Sequence, residues 1–349
     1  MDETPDILKG LRLQGGVCRQ MGSPLTAAIL ERAADDAGAG GPVAGLLEPW
    51  AEAGLKQVFE DAAPLRLAAA FHELALSGEA PALSAAYAAL DAERIWPQVL
   101  AAIPAHRARL VRFMRHEPQT NEVRRSICLL GGFLEIAKAT GLPLRCFELA
   151  ASAGLNLSWD RYRYEIAGDA WGDPAATVRM DTDWTGPPPP LDAAIEVVER
   201  AACDRRPTDL ADPEQRRRLL AYYWPDQTER IARIHAAIDL ALATGVHVDE
   251  ADAVDWLKAK VAPRAGAATV VYHSVFWTYM PPPTQAALTA AIEALGARAT
   301  AQAPVAWLSM EPKADDIATM EVRLRLWPDG EDRLLAETQA HGGWVRWRG

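Results

Sequence analysis

In LRCFELAASAGLNL, residues 144–157, an acidic side chain closes an apolar run, and small residues then turn the chain toward a helix-like segment near Leu155. A parallel strand puts its carboxyl end at the ligand-binding edge of a sheet. A helix that starts just beyond it offers free N–H groups. Glu148 is then placed for a sugar hydroxyl, an amino group or a turn N–H, and Ala150, Ser152, Gly154 and Asn156 are small or polar enough to suit a turn that a ligand approaches closely. A strand-to-helix turn selected for tight packing uses the same residue types, and the stretch by itself leaves both readings open.

A second constellation precedes it. QTNEVRRSICLLGGFLEIAKATG, from Gln119 to Gly141, carries an apolar face at Val123, Ile127, Leu130, Leu134 and Ala137 and predicts one helix, ended by Gly141 with Pro143 beyond. A helix of roughly 30 Å joined by a short connection to a strand of roughly 23 Å runs antiparallel to it. Its N-terminus therefore returns to the turn after Glu148. Gln119, Asn121, Glu122 and Arg124 are expected there, suited to the amino-acid portion of a ligand. Ordinary capping, with Thr120 as N-cap and Glu122 opposing the helix dipole, uses the same residues. His72, inside an apolar helical segment, reads first as a satisfied core histidine. The seven histidines form no HExxH or close pair, so no metal site is expected, and there is no GxSxG elbow or GxxxxGK[ST] phosphate loop.

The elements that must position these residues follow from composition and periodicity. The chain has 349 residues, half of them hydrophobic, and a net charge of −11. That balance argues against general nucleic-acid or anionic-membrane binding. Cys18, Cys128, Cys146 and Cys203 lie far apart and suggest a reducing compartment. MDETPDILKG is too polar for a signal peptide, no apolar run is long enough to span a membrane, and a cytoplasmic protein is expected. Residues 1–117 read as an all-α domain with helices at Pro24–Ala34, Pro64–Ser77, Ala82–Ala92 and Ile103–Arg115. Residues 118–349 read as an α/β domain. Strands are expected at Leu144–Leu149, Thr269–His273, Pro304–Met310, Glu321–Trp327 and Arg333–Thr338, with weaker ones at Ala201–Cys203 and Val246–Val248. Helices are expected at Leu191–Arg200, Pro213–Thr244, Ala253–Ala262 and Pro283–Leu295. Alternation implies a mainly parallel sheet covered on both faces, and the short PDGED turn implies a terminal antiparallel hairpin. Period-2 alternation at Tyr162, Tyr164 and Ile166, and at Val178 and Met180, predicts a β-hairpin insertion over about 161–186.

The stretch from Glu148 to Gly154 resembles the first motif of class I S-adenosylmethionine-dependent methyltransferases, with Ala150 and Ser152 where two of the usual glycines stand. The resemblance implies a seven-stranded Rossmann-like sheet with an antiparallel C-terminal hairpin. AACDRRPTD resembles the second motif and makes Asp204 the candidate for the ribose hydroxyls, although the span from Glu148 is longer than usual. HVDEADAVDWL resembles the third, with Asp252 and Ala253 near the adenine, and HSVFWTYM resembles the fourth strand and its exit, where substrate and methyl group meet. Surface pairing of Asp204, N-capping by Asp252 and a structural His273 compete with these roles. PQTNEVRRS, ASAGLNL, DRYRY, AWGDP, YYWPDQ and HSVFWTYMPP also resemble an uncharacterised bacterial family without an assigned substrate. The implied enzyme holds S-adenosylmethionine and a small-molecule or protein substrate in attack geometry, with His273, Tyr279 or Glu122 as candidate base. A non-catalytic binding module on the same scaffold is the alternative. A nicotinamide-dependent dehydrogenase would require a GxGxxG that ASAGLN lacks.

Overall fold

The computed structural model describes residues 4–349, so the first three residues of the acidic start lie outside the described residues. The chain divides into two compact units. The first takes in the chain up to Thr120 together with Asp209–Ala232, and the second Asn121–Thr208 with Arg233–Gly349.

The first unit is helical, with α1 (Asp6–Gln20), α2 (Pro24–Gly38), the short α3 (Ala44–Leu47) and α4 (Leu55–Glu60), α5 (Ala63–Ser77), α6 (Pro81–Ala88), α7 (Ala92–Met114) and, later in the chain, α9 (Pro213–Ala221). Caps set several starts: the Ser23 hydroxyl accepts from Thr26 N–H with Pro24 in the first helical turn, and Asp91 and Asp212 cap α7 and α9 in the same way. Pro97 and Pro104 do not end α7, which begins well before the expected Ile103. Ile95, Val99, Ile103 and Leu110 are buried along one stripe, and that packing outweighs the missing backbone bonds. The segment after Asp209 joins this unit because Ala221 and Tyr222 enter its core. The expected single helix over Pro213–Thr244 is two, α9 and α10 (Thr228–Thr244). Pro225 lies in the break, where Asp226 turns back to accept from Ser23 Oγ and Leu25 N–H. His72 is buried, its Nδ1–H donates to the Ala221 carbonyl (3.1 Å), its ring stacks on Tyr87, and burial pushes its pKa down to about 4.

The second unit is α/β. Its helices are α8 (Arg125–Thr140), α11 (Ala253–Lys260) and α12 (Pro282–Gly296), and most of α10 belongs to it. Its strands are β1 (Leu144–Leu149), β2 (Arg163–Ile166), β3 (Asp169–Trp171), β4 (Arg179–Asp181), β5 (Asp183–Thr185), β6 (Val197–Asp204), β7 (Asp249–Glu250), β8 (Ala268–Ser274), β9 (Val305–Lys313), β10 (Asp316–Trp327), β11 (Glu331–Gln339) and β12 (Trp344–Trp347). Nine strands form one sheet in the order β5-β12-β11-β10-β9-β8-β1-β6-β7. The run β7-β6-β1-β8-β9 is parallel, so these strands end on one edge. From β9 to β12 the sheet is an antiparallel meander, and β5 adds in parallel at the far side. The large sheet is thus mixed and broader than the expected seven strands. All six residues of β1 are buried, as a central parallel strand requires.

Helix α8 lies close on the sheet because it carries two adjacent glycines: a Cβ at Gly131 would stand 2.3 Å from the Trp347 ring, and one at Gly132 2.3 Å from Leu308. The hairpin insertion is present as β2 and β3, with β4 parallel to β2. Tyr162, Tyr164, Ile166, Val178 and Met180 are all buried, as the alternation predicts. Two other expectations fail. Leu191–Arg200 is no helix: its last residues open β6, where the β-branched Val197 and Val198 suit a strand and Arg145 on β1 pairs with Glu199 (2.7 Å). The helix expected from Gln119 begins only at Arg125, with no side-chain cap, so Thr120 does not cap it.

Candidate functional site

The turn leaving β1 is held in a strained shape. Ala150, Ser152 and Gly154 all have left-handed backbone angles, with φ of 54°, 56° and 72°. For a residue with a Cβ this costs on the order of 1–3 kcal/mol and persists only where the surroundings over-determine it. Here they do. Asp204, at the end of β6, accepts from Ser152 N–H (2.8 Å) through one carboxylate oxygen and from Arg206 N–H (2.8 Å) through the other. Ala151 N–H donates to the Cys203 carbonyl, and Thr208 N–H to that of Ser152. Leu155 N–H donates to Asn121 Oδ1 (2.9 Å), and Asn156 Nδ2 to the Glu122 carbonyl (3.2 Å). Those last two bonds join residues 121 and 122, which lie outside the helix, to the turn.

Glu148 stands beneath this turn, 3 % exposed. The register sets it beside Tyr272 on β8, whose hydroxyl lies 3.3 Å from Glu148 Oε2 and 3.4 Å from the Asn156 carbonyl. Burial pushes the Glu148 pKa up to about 8; donation from Tyr272 and the charge of Arg125 oppose this, and Asp204 adds to it. At neutral pH the carboxyl is mainly protonated, able to donate a proton or to ionise when a cation arrives. Ser152 Oγ, Asn156 Oδ1 and Ser158 Oγ are buried and have no hydrogen-bond partner among the described residues. A group of orphaned polar atoms along one turn costs about 1–3 kcal/mol each and calls for a partner.

The turn leaving β8 is the counterpart on the same edge. Val275 has φ of 50°, an outlier for a β-branched residue. Glu311 on β9 fixes it, accepting from His273 Nδ1–H (2.7 Å), Phe276 N–H (3.1 Å) and Trp277 N–H (3.0 Å). His273 Nε2 accepts from Trp307 Nε1–H (2.9 Å), and the ring stacks on Trp277. An imidazole that donates through Nδ1 and accepts through Nε2 is neutral, with no lone pair free. The expected base His273 is therefore a buried structural histidine here.

The family described as an uncharacterized protein conserved in bacteria (DUF2332) matches residues 9–347, nearly the whole chain. The chain belongs to this family. No curated protein and no solved structure matches it.

In this DUF2332 chain the remaining expected residues divide. Asn121, Glu122, Glu148, Ser152, Asn156 and Asp204 meet around the β1 turn through the bonds above. Ala150 supplies one of its left-handed residues. Gly154 is required by packing as well as by φ, because a Cβ there would stand 2.8 Å from Val246 and Val248, so it faces protein side chains. Asp252 is an N-cap, accepting from Val254 N–H (2.9 Å) and Asp255 N–H (3.4 Å), and Ala253 opens the helix it caps. Arg124 reaches away to Asp181 in β4, through its carbonyl (2.8 Å) and carboxylate (3.3 Å). Gln119 falls in the helical unit, not in the unit that holds this turn. Tyr279 is 79 % exposed. Tyr272 and Arg125 were missed: Tyr272 sits inside an apolar run that reads as core, and only the strand register reveals what it faces. Arg125 Nη1 donates to the Ser274 carbonyl (3.3 Å) at the same edge. Among the described residues no group of His, Cys, Asp or Glu could hold a metal ion, and no helix is long and apolar enough to cross a membrane.

Proposed function

We propose that this chain is a class I-type S-adenosylmethionine-dependent methyltransferase acting on a small molecule or protein, with its cofactor held over the carboxyl ends of β1 and β6. The observation that carries the reading is the β1 exit turn: alternate left-handed residues, a buried protonated glutamate below, and the unpartnered Ser152 Oγ and Asn156 Oδ1 beside it. On this reading β1, β6, β7, β8 and β9 are the five parallel strands of a methyltransferase sheet, β10 and β11 its antiparallel ending, and β12 and β5 an extension of it.

The cofactor, when bound, supplies a methyl group activated by the neighbouring sulfonium. The chain's residues would do the rest. Asp204 spends one lone pair of each oxygen on the turn and keeps others for the two ribose hydroxyls. Ser152 Oγ and Asn156 Oδ1 would satisfy polar groups of the ligand while losing their own burial cost. Glu148 would ionise against a cationic ligand, because a nearby positive charge favours the carboxylate. Glu122, buried next to the turn, replaces His273 as the candidate base, and the exposed Tyr279 is a candidate for substrate contact.

The occupied nitrogens of His273 favour a second reading, a binding module without turnover on the same scaffold. Calorimetry of the full chain with S-adenosylmethionine and S-adenosylhomocysteine separates the possibilities. Binding of both is expected, with proton release greater for the cationic sulfonium form. Binding with no methyl transfer to any offered substrate supports the module, and no binding by folded protein overturns both readings.

A further inference from the structure

A separate cleft opens on the outer edge of the sheet in the second unit. β7 pairs with β6 only at Cys203 and Asp204, so Arg200–Ala202 lack a strand neighbour on that side, although β1 pairs with them on the other. The short helical turn after β1 and the segment following α10 wall the gap, leaving a cavity of about 220 Å³. It is large enough for several waters or a small organic molecule. None of its lining residues belongs to the polar cluster of the β1 exit turn, although Leu157 and Val246 also border Gly154 of that turn.

Its lining combines apolar wall and unmatched positive charge. Leu157, Ala202 and Val246 supply the wall. The acids nearby are already engaged. Asp160 receives two bonds from Arg200 (3.1 and 3.0 Å), and Asp249 accepts from Trp256 Nε1–H (2.7 Å) and lies 3.6 Å from Lys260 Nζ. Arg161, by contrast, has no carboxylate partner among the described residues, and this exposed residue lines the cavity beside His247, whose Nε2 lies 3.4 Å from Asp249. In a chain of net charge −11 an unmatched arginine in a hollow is an anion receptor. The planar fork suits a carboxylate, while the adjacent Asp249 disfavours a dianion. We propose that this cleft binds a small monocarboxylate, its head on Arg161 and its aliphatic body against Leu157 and Val246.

Saturation-transfer NMR on the full chain with butanoate tests this. Transfer to the butanoate protons is expected, with apparent affinity weakened about tenfold in Arg161→Gln, the loss of a charge-assisted hydrogen bond. Arg298→Gln, an exposed arginine elsewhere, should leave it unchanged. Absence of transfer at millimolar butanoate, equal affinity in Arg161→Gln and the unaltered protein, or equal displacement by butyramide or by inorganic phosphate would each overturn the proposal.

Discussion

The turns leaving β1 and β8 stand on the same edge of the sheet, and both hold non-glycine residues in left-handed backbone. They differ in how their polar groups are satisfied. At β8 one carboxylate, Glu311, collects the N–H groups of His273, Phe276 and Trp277, and Trp307 closes the ring's other side. At β1 the backbone is tied down by Asp204 and Asn121, yet among the described residues Ser152 Oγ and Asn156 Oδ1 have no partner, and burial outweighs the Tyr272 bond and the Arg125 charge at Glu148. Strain by itself therefore does not mark a ligand site. Strain joined to unpaired polar atoms is what the proposed site rests on, because only that arrangement gains from an incoming partner.

The largest expected effect breaks the satisfied side. Glu311→Ala leaves three donors without their acceptor, and a loss of about 3–5 kcal/mol is expected in urea unfolding followed by tryptophan fluorescence. A loss below about 1 kcal/mol would mean that the clip is not what holds Val275.

Glu148→Gln acts on the other side and is pH-dependent. A carboxyl whose pKa rises from 4.5 unfolded to about 8 folded binds more protons in the native state. Its contribution is fully present below about 4.5 and is lost as pH climbs through about 8. The variant, which cannot ionise, is expected to gain stability relative to the unaltered chain across that window, by about 1.4 kcal/mol for each pH unit. A constant difference from pH 5 to 9 would remove the buried, protonated glutamate from the account.

Paired glycine substitutions sharpen the comparison further. Val275→Gly and Ser152→Gly each relieve left-handed strain, and each is expected to stabilise the fold by about 1 kcal/mol in thermal unfolding. Only Ser152→Gly removes an unpaired hydroxyl at the proposed site, so only it should weaken S-adenosylhomocysteine binding in calorimetry. The smallest effect is expected for Tyr272→Phe. It loses a long hydrogen bond worth about 0.5–1 kcal/mol and moves the Glu148 midpoint upward, readable by NMR of a labelled glutamate carboxyl.

Much of this architecture is legible in the chain. β1 and β8 are apolar runs between turn residues because a central parallel strand is buried on both faces, and Tyr162, Tyr164 and Ile166 announce their sheet by alternation. The start of α8 is not legible because residues 119–124 have an acceptable helical pattern, while in the structure Asn121 and Glu122 bond to the distant Leu155 and Asn156. Leu191–Arg200 was misread because its residues suit either state and the neighbouring strand decides. That Glu148, Ser152 and Asp204 lie together at one turn is legible from residue type and place, but the contacts of Tyr272 and Glu311 are not, since each depends on inter-strand register. For the same reason the sequence leaves His273 open between a base and a structural histidine, and its two neighbours, Glu311 and Trp307, favour the second.

The most direct test of the central claim is a crystal structure of the chain with S-adenosylhomocysteine. The account predicts ligand density against residues 150–156, with Ser152 Oγ and Asn156 Oδ1 hydrogen-bonded to it and Asp204 on the ribose. Density elsewhere on the molecule, or an unchanged turn with both oxygens still unpaired at saturating ligand, would contradict it.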